Sequence, residues 1–401
     1  MGKTTELYHS NRRDLAANPP GSPPEFAMPL IDRQSIFAEI EAARKGRKLV
    51  CYVTFDRESQ PTVPGVSMNF GFGAKESLFR VLKETLDAGT GLDLLLYTRG
   101  GETNAVWPTV SIIREFDPDF EVLVPFRCHS AGTLLALGAR RIVMAPLAEL
   151  SPIDPSTGNQ FNPPDPMNKS ARLAIAVEDV RSYRDFVLGH LGVSKDREDD
   201  DSKTQDLIDT FGPYLHALIS KVHPLALGNV ERVYELIRRL AKGLLQLHPT
   251  KDIDVKQVVD SLTAESYSHL HMISRFEARV ILGDDRVKHA SPQLSNLLDK
   301  LLRKYEDDFN LRNPFFLAQF LGDEPEKEAR FAGGVIESGS RGYIHATKCR
   351  IRQVTKTPPN VQVQLPVGQA MPLIPGLPRE YSIDVISQAW EHNPKPRGVT
   401  T

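Results

Sequence analysis

The chain has 401 residues, 40% hydrophobic and 25% charged, with a formal net charge of −2 at pH 7. That balance fits a soluble globular protein of one large domain or two ordinary ones, and it argues against a general nucleic-acid or membrane-surface binder. Three widely spaced cysteines, Cys51, Cys128 and Cys349, build neither a disulfide framework nor a zinc site, and no apolar run is long enough to span a membrane, so a cytoplasmic setting without metal is expected.

The opening MGKTTELYHSNRRDL lacks the apolar core of a signal peptide. Gly2 is followed by Glu6 where myristoylation needs Ser or Thr, and Gly2-Lys3-Thr4 lacks the strand and upstream glycine of a phosphate loop. Five prolines within 18–29 predict an extended arm, and residues 32–44 predict a short helix with Ile36, Phe37 and Ile40 on one side. Residues 48–55 (KLVCYVTF) predict the first strand, 61–74 a glycine-bearing loop, and 76–86 a helix that buries Leu78, Val81, Leu82 and Leu86.

Residues 92–98 are too short and too continuously apolar for a half-wet strand, so a strand buried on both faces is expected. Gly100 and Gly101 follow at once and permit a tight turn with bare N–H groups. Residues 120–126 predict the next strand, and Cys128-His129-Ser130-Ala131-Gly132 leads into a helix of small and apolar residues. Successive strand–helix–strand units are right-handed and parallel, and their ligands bind at the carboxyl ends of the strands, where Gly100, Gly101 and Ser130 all fall. By ordinary rules Ser130 is a helix N-cap. A serine there is also a candidate nucleophile if the N–H groups of Gly101 and Ala131 hold the oxyanion and a base takes its proton.

The order strand, Gly-Gly, helix, strand, Ser-Ala-Gly, helix, strand, with 29 residues from Gly101 to Ser130, resembles the Clp protease and crotonase superfold. Within it, HSAGTLLALGARRIVMAPLAELSPIDP resembles the serine dehydrogenase proteinase family, soluble relatives of signal peptide peptidase A. Residues 223–228 and 274–287 share the likeness, which runs from about 48 to 288. The resemblance implies an α/β fold, Clp protease/crotonase-like, with a parallel sheet core and flanking helices. It also implies Ser130 as nucleophile, Gly101 and Ala131 as the oxyanion hole, Gly100 and His129 in the substrate groove, and a homo-oligomer of trimers or larger rings. Cys128 stands where the first glycine of Gly-x-Ser-x-Gly would be, which departs from the α/β-hydrolase pattern. No Gly-x-Gly-x-x-Gly turn is present, so despite the family's name no nicotinamide cofactor is expected, nor any other.

The general base is harder to place. Where Clp has its histidine, this chain has SPIDP with Asp154, whose ordinary pKa of about 3.9 makes it a weak base at neutral pH and suits it to orienting a loop or a neighbouring base. Signal peptide peptidase A uses a Ser-Lys dyad, and Lys169, 39 residues beyond Ser130, is the matching candidate. A lysine needs burial to act as a base, and its commoner fate is a solvated surface position. His129 adjoins Ser130 at an unfavourable angle, while His269, His271 and His289 reach it only through tertiary folding.

Further along, 171–191 and 229–247 predict long helices, the second with a basic face, and 294–305 predicts another. The acidic run 195–203 fits no calcium loop. Beyond 310 the composition shifts: strand-forming runs at 343–354 and 361–367, and eight prolines from Pro358 to Pro396, predict a small C-terminal appendage with an extended tail. The expected division is 1–45 as arm and helix, 46–310 as a serine peptidase domain, and 311–401 as the appendage. The expected activity is hydrolysis of peptide or protein substrates. The rivals are a catalytically silent peptide-binding or assembly protein of the same fold, and a crotonase-like acyl-CoA enzyme, which uses the same oxyanion hole without a serine nucleophile.

Overall fold

The computed structural model describes residues 31–56, 68–153, 156–166, 171–190, 204–250, 253–263, 271–309, 311, 315–355 and 378–393. Helix α1 (Ile31–Ala43) ends where Lys45 and Gly46 turn left-handed, at φ 58° and 81°, and the Gly46 N–H closes the last turn on the Glu41 carbonyl at 2.8 Å. The chain then alternates through β1 (Lys48–Thr54), α2 (Lys75–Thr85), β2 (Leu92–Tyr97), α3 (Val106–Phe116), β3 (Glu121–Val124), β4 (Arg127–Cys128), α4 (Ala131–Leu137) and β5 (Arg141–Met144). A more irregular stretch follows: β6 (Glu149–Leu150), β7 (Ser156–Thr157), β8 (Ile175–Ala176), α5 (Val177–His190), α6 (Thr204–Ile219), α7 (Pro224–Gln246) and α8 (Val255–Thr263). The remaining elements are β9 (Ile273–Ser274), α9 (Arg275–Leu282), β10 (Val287–His289), α10 (Pro292–Asp308), α11 (Leu317–Leu321), β11 (Glu326–Ser338), β12 (Gly342–Thr355) and β13 (Arg379–Asn393).

Eight strands form one sheet in the order β10-β5-β3-β2-β1-β11-β12-β13. The five from β10 to β1 run parallel, and β11 joins β1 antiparallel with Val50 opposite Ser338. This is a mixed α/β fold with a large central sheet and flanking helices, and all six residues of β2 are buried, as a parallel strand covered on both faces requires. Neighbouring residues of β11 identify the two covers. The Glu337 carboxylate accepts from Arg33 of α1 (2.8 and 3.2 Å) and from the Tyr305 hydroxyl of α10 (2.7 Å), whereas the Ser338 hydroxyl meets Thr85 of α2 at 2.8 Å. Successive strand residues point to opposite faces, so α1 and α10 cover one side and α2 the other. Arg33, 1% exposed, also donates to Asp308 at the end of α10.

On the α2 side, buried Arg286 donates to the carbonyls of Leu137 and Ala139 at the end of α4, and to those of Leu245 and His248 at the end of α7. Four neutral carbonyls with no carboxylate leave burial unopposed, which pushes its pKa down to about 10. The guanidinium thus ties together the C-terminal ends of two helices, one of which begins at Ser130.

Three expectations are corrected. Residues 171–176 are not helical: Ile175 and Ala176 pair antiparallel with Thr157 and Ser156, and the helix starts at Val177, where Glu178 and Asp179 suit its positive end. The helix expected at 229–247 begins earlier, at Pro224, because proline is favoured in the first turn and His223 Nδ1 accepts the Leu225 N–H at 3.1 Å. The stretch 379–393, read as extended tail, is the strand β13, paired with β12 along its length. The C-terminal strands continue the central sheet instead of standing beside it. The strand expected at 361–367, the proline arm at 18–29 and the acidic run at 195–203 lie outside the described residues. Among the described residues no helix is long and apolar enough to cross a membrane.

At the amino ends of β2 and β3, Arg44 bonds Asp93 and Glu121, each at 2.6 Å. Burial pushes the Glu121 carboxyl up, but the Arg44 hydrogen bond and the charges of Arg44 and Arg47 outweigh it and hold the group below the ordinary carboxylate range. A depressed folded-state pKa stabilises the fold fully above the unfolded value of about 4.3, and the gain is lost as pH falls through the folded one. The melting temperature is therefore expected to fall on acidification below about pH 4, and Glu121→Gln to lose less over that interval than the parent when both are melted across an acid series.

Candidate active site

β2 and the corner after β3 are stitched together just where the chain leaves the sheet. Thr98 donates its N–H to the Arg127 carbonyl and accepts the His129 N–H, both at 3.0 Å. Its fully buried hydroxyl accepts the Thr54 hydroxyl at 2.8 Å and the Gly100 N–H at 3.1 Å. On the far side Phe70 clamps the turn: its N–H donates to the Gly100 carbonyl and its carbonyl accepts the Glu102 N–H, both at 2.8 Å. Gly100 and Gly101 take φ 108° and 151° to fit between these anchors. A Cβ on Gly100 would lie 2.7 Å from Ser130 Cβ and 3.2 Å from its Oγ, so the glycine turn rests directly against the serine.

Ser130 occupies the corner between β4 and α4 at φ 50°, ψ −112°, a conformation that costs a non-glycine residue energy. Strained strand-to-helix corners of this kind present a nucleophile's hydroxyl. Its side chain makes no capping hydrogen bond, so ordinary N-capping does not occupy the hydroxyl. The residue is half-buried while Cys128, His129 and Ala131 around it are buried. What holds the corner is Ser151 after β6: its Oγ accepts the Ser130 N–H at 2.7 Å and donates to the Pro152 carbonyl at 2.9 Å. Thr133 Oγ1 in turn accepts the Ser151 N–H at 3.1 Å and donates to the Cys128 carbonyl at 2.8 Å.

The backbone donors sort cleanly. The N–H groups of Gly100, Glu102, Ser130 and Gly132 all have acceptors, the last in the His129 carbonyl at 2.8 Å. Those of Gly101 and Ala131 donate to no protein acceptor among the described residues. Gly101 is exposed and Ala131 is buried.

His129 is 7% exposed, and its Nε2 donates to Glu149 Oε1 at 3.1 Å. Glu149 also takes Arg127 Nε at 3.3 Å, and Arg127 and Arg99 both bond Asp56 at 2.5 Å. His129 is thus tied into an ionic cluster beside the corner. His271 bonds Glu277 at 2.7 Å, and the His289 and Phe276 rings meet nearly at right angles with centroids 5.0 Å apart. Asp154, Lys169 and His269 lie outside the described residues. Burial pushes the Cys128 thiol far up, which leaves it protonated and inert beside the serine. No group of three or more His, Cys, Asp or Glu among the described residues is arranged to hold a metal ion. Ser151, Glu149 and Asp56 were not anticipated. Ser151 stands in the same ELSPIDP run as Asp154, and its signal was a small hydroxyl directly after a two-residue strand.

A relative with a similar stretch is uncharacterized protein MJ0137 of Methanocaldococcus jannaschii, 36% identical over 67 residues, which are 17% of this chain and 23% of that protein. The match spans less than a quarter of the relative's length. Over residues 25–170, which include the Gly100 and Gly101 turn, the Ser130 corner and Ser151, the chain matches the family described as ClpP-like SDH-type serine proteinase, the family its sequence resembles, and this supports a serine peptidase-type function.

Proposed function

We propose that the protein is a homo-oligomeric cytoplasmic serine peptidase in which Ser130 is the nucleophile and Gly101 and Ala131 form the oxyanion hole. One observation carries this reading: a half-exposed serine at positive φ, with no capping duty, rests against a glycine turn, and two N–H groups of these segments have no protein acceptor among the described residues. In the reaction Ser130 Oγ attacks the substrate carbonyl carbon while its proton passes to a base. The carbonyl oxygen becomes an oxyanion held by the Gly101 and Ala131 N–H groups. Collapse expels the amine, which takes the proton, and water then hydrolyses the acyl-serine. Lys169 serves as the base once desolvated and neutral, and Asp154 orients it. Ser151 keeps the corner in its strained shape by holding the Ser130 N–H.

The test is labelling by a fluorophosphonate probe together with hydrolysis of a fluorogenic peptide. Both are expected in the wild type and absent in Ser130→Ala with an unchanged melting temperature. No labelling of well-folded wild type would favour the silent or crotonase-like rivals. Full turnover by Lys169→Ala would remove lysine from the mechanism while leaving Ser130 in place.

A further inference from the structure

On the face of the sheet covered by α1 and α10, a cleft of about 620 Å³ opens between the end of α1 and the start of α10, and no residue of the Ser130 corner lines it. Its size suits a small-molecule ligand. Five cationic side chains line it, among them Arg44, Lys45, Arg141 and Lys288, against Glu121 as the one carboxylate. Glu121 is already engaged, by Arg44 at 2.6 Å and Arg141 at 3.1 Å, and Arg47 is held by Asp93 at 2.7 Å. The charge left over belongs to the lysines. Lys45, exposed at the left-handed end of α1, makes no ion pair among the described residues, and Lys288 reaches only Asp285, at 4.0 Å.

The helix ends around the cleft add to this. The carbonyls of Ile40, Glu41 and Ala42 at the end of α1 already accept from Arg44, Gly46 and Lys45, so few lone pairs face an incoming anion. The 17-residue α10 starts in the cleft wall just after its N-cap Ser291, whose Oγ accepts the Leu294 N–H at 3.2 Å, and its positive end adds to the lysine charge. Ala43, Val143 and Leu294 supply an apolar floor beside these groups.

We propose that this cleft binds a phosphate-bearing small molecule of nucleotide size, its phosphates held by Lys45 and Lys288 beside the start of α10 and its remainder laid on the apolar floor. The proposal is independent of the reading of Ser130. It is tested by calorimetric titration of the full chain with pyrophosphate, ADP and sulfate. Saturable binding is expected for pyrophosphate, tighter binding for ADP, and a weakening of both as salt rises. The variant Lys45→Asn/Lys288→Glu changes two exposed positions, with asparagine chosen because it tolerates positive φ. It is expected to bind ADP at least about 100-fold more weakly, since two phosphate contacts are lost, at an unchanged melting temperature and unchanged labelling of Ser130. Absence of saturable binding to the wild type, equal affinity for sulfate, or undiminished binding by the variant would each overturn it.

Discussion

Replacing Gly101 by alanine is expected to slow fluorophosphonate labelling of Ser130 by about 10²–10³-fold, the cost of losing one oxyanion donor. The added Cβ would sit 2.1 Å from the Phe70 carbonyl oxygen and 2.7 Å from its nitrogen, and both are backbone atoms. At φ 151° an L-residue is strained even where there is space. The turn can relieve the clash only by moving away from Phe70, which breaks the bonds from Phe70 to Gly100 and Glu102 and swings the Gly101 N–H. A fall in melting temperature should accompany the loss. Gly73→Ala is the control: its nearest atom, Trp390 Nε1, would be 3.9 Å away, and labelling should not change. Wild-type labelling by Gly101→Ala would detach the glycine turn from the chemistry.

The largest stability effect is expected at Arg33. Its guanidinium is enclosed with Glu337, Asp308 and Tyr305 between two helices and the sheet, out of reach of water. Burial alone would push its pKa down, but Glu337, followed by Tyr305 and Asp308, more than reverses this. Among the described residues, Arg33→Ala leaves the buried Glu337 carboxylate with the Tyr305 hydroxyl as its remaining side-chain partner, while Asp308 keeps Lys304 at 3.0 Å. The expected loss is about 3–5 kcal/mol, read as a lower urea midpoint at unchanged slope. Adding Glu337→Gln should recover part of it, because the orphaned charge is then gone. A loss under about 1 kcal/mol would place the pair with exposed ion pairs instead.

Much of the sheet core could be read in the sequence because its signals are local. The parallel strands β1, β2, β3 and β5 are short, largely apolar runs closed by Pro or a polar residue, and α2 shows its buried stripe of Leu78, Val81 and Leu82. The Gly-Gly turn and the Ser-Ala-Gly corner were equally visible, since both depend on residue types that only special backbone angles demand. What escaped depends on distant partners. β1 and β11 pair across nearly the whole chain, and β13 lies among prolines that suggested a loose tail until β12 is laid beside it. Ser151 looks like any loop serine until the Ser130 N–H is found on its oxygen, and nothing in the string of letters turns His129 toward Glu149.

The position of β1 has a consequence for solubility. This apolar strand is shielded on one side by β2 and on the other by β11, so the three C-terminal strands stand between it and the nearer border of the sheet. The border they expose instead, opposite the β10 border, is β13, which carries Arg379, Glu380, Asp384 and Glu391 beside exposed Tyr381, Val385 and Ile386, with a register slip against β12 near Lys348. Charge and irregularity there discourage stacking of one molecule's sheet on the next. The C-terminal strands thus act as a guard rail for the core.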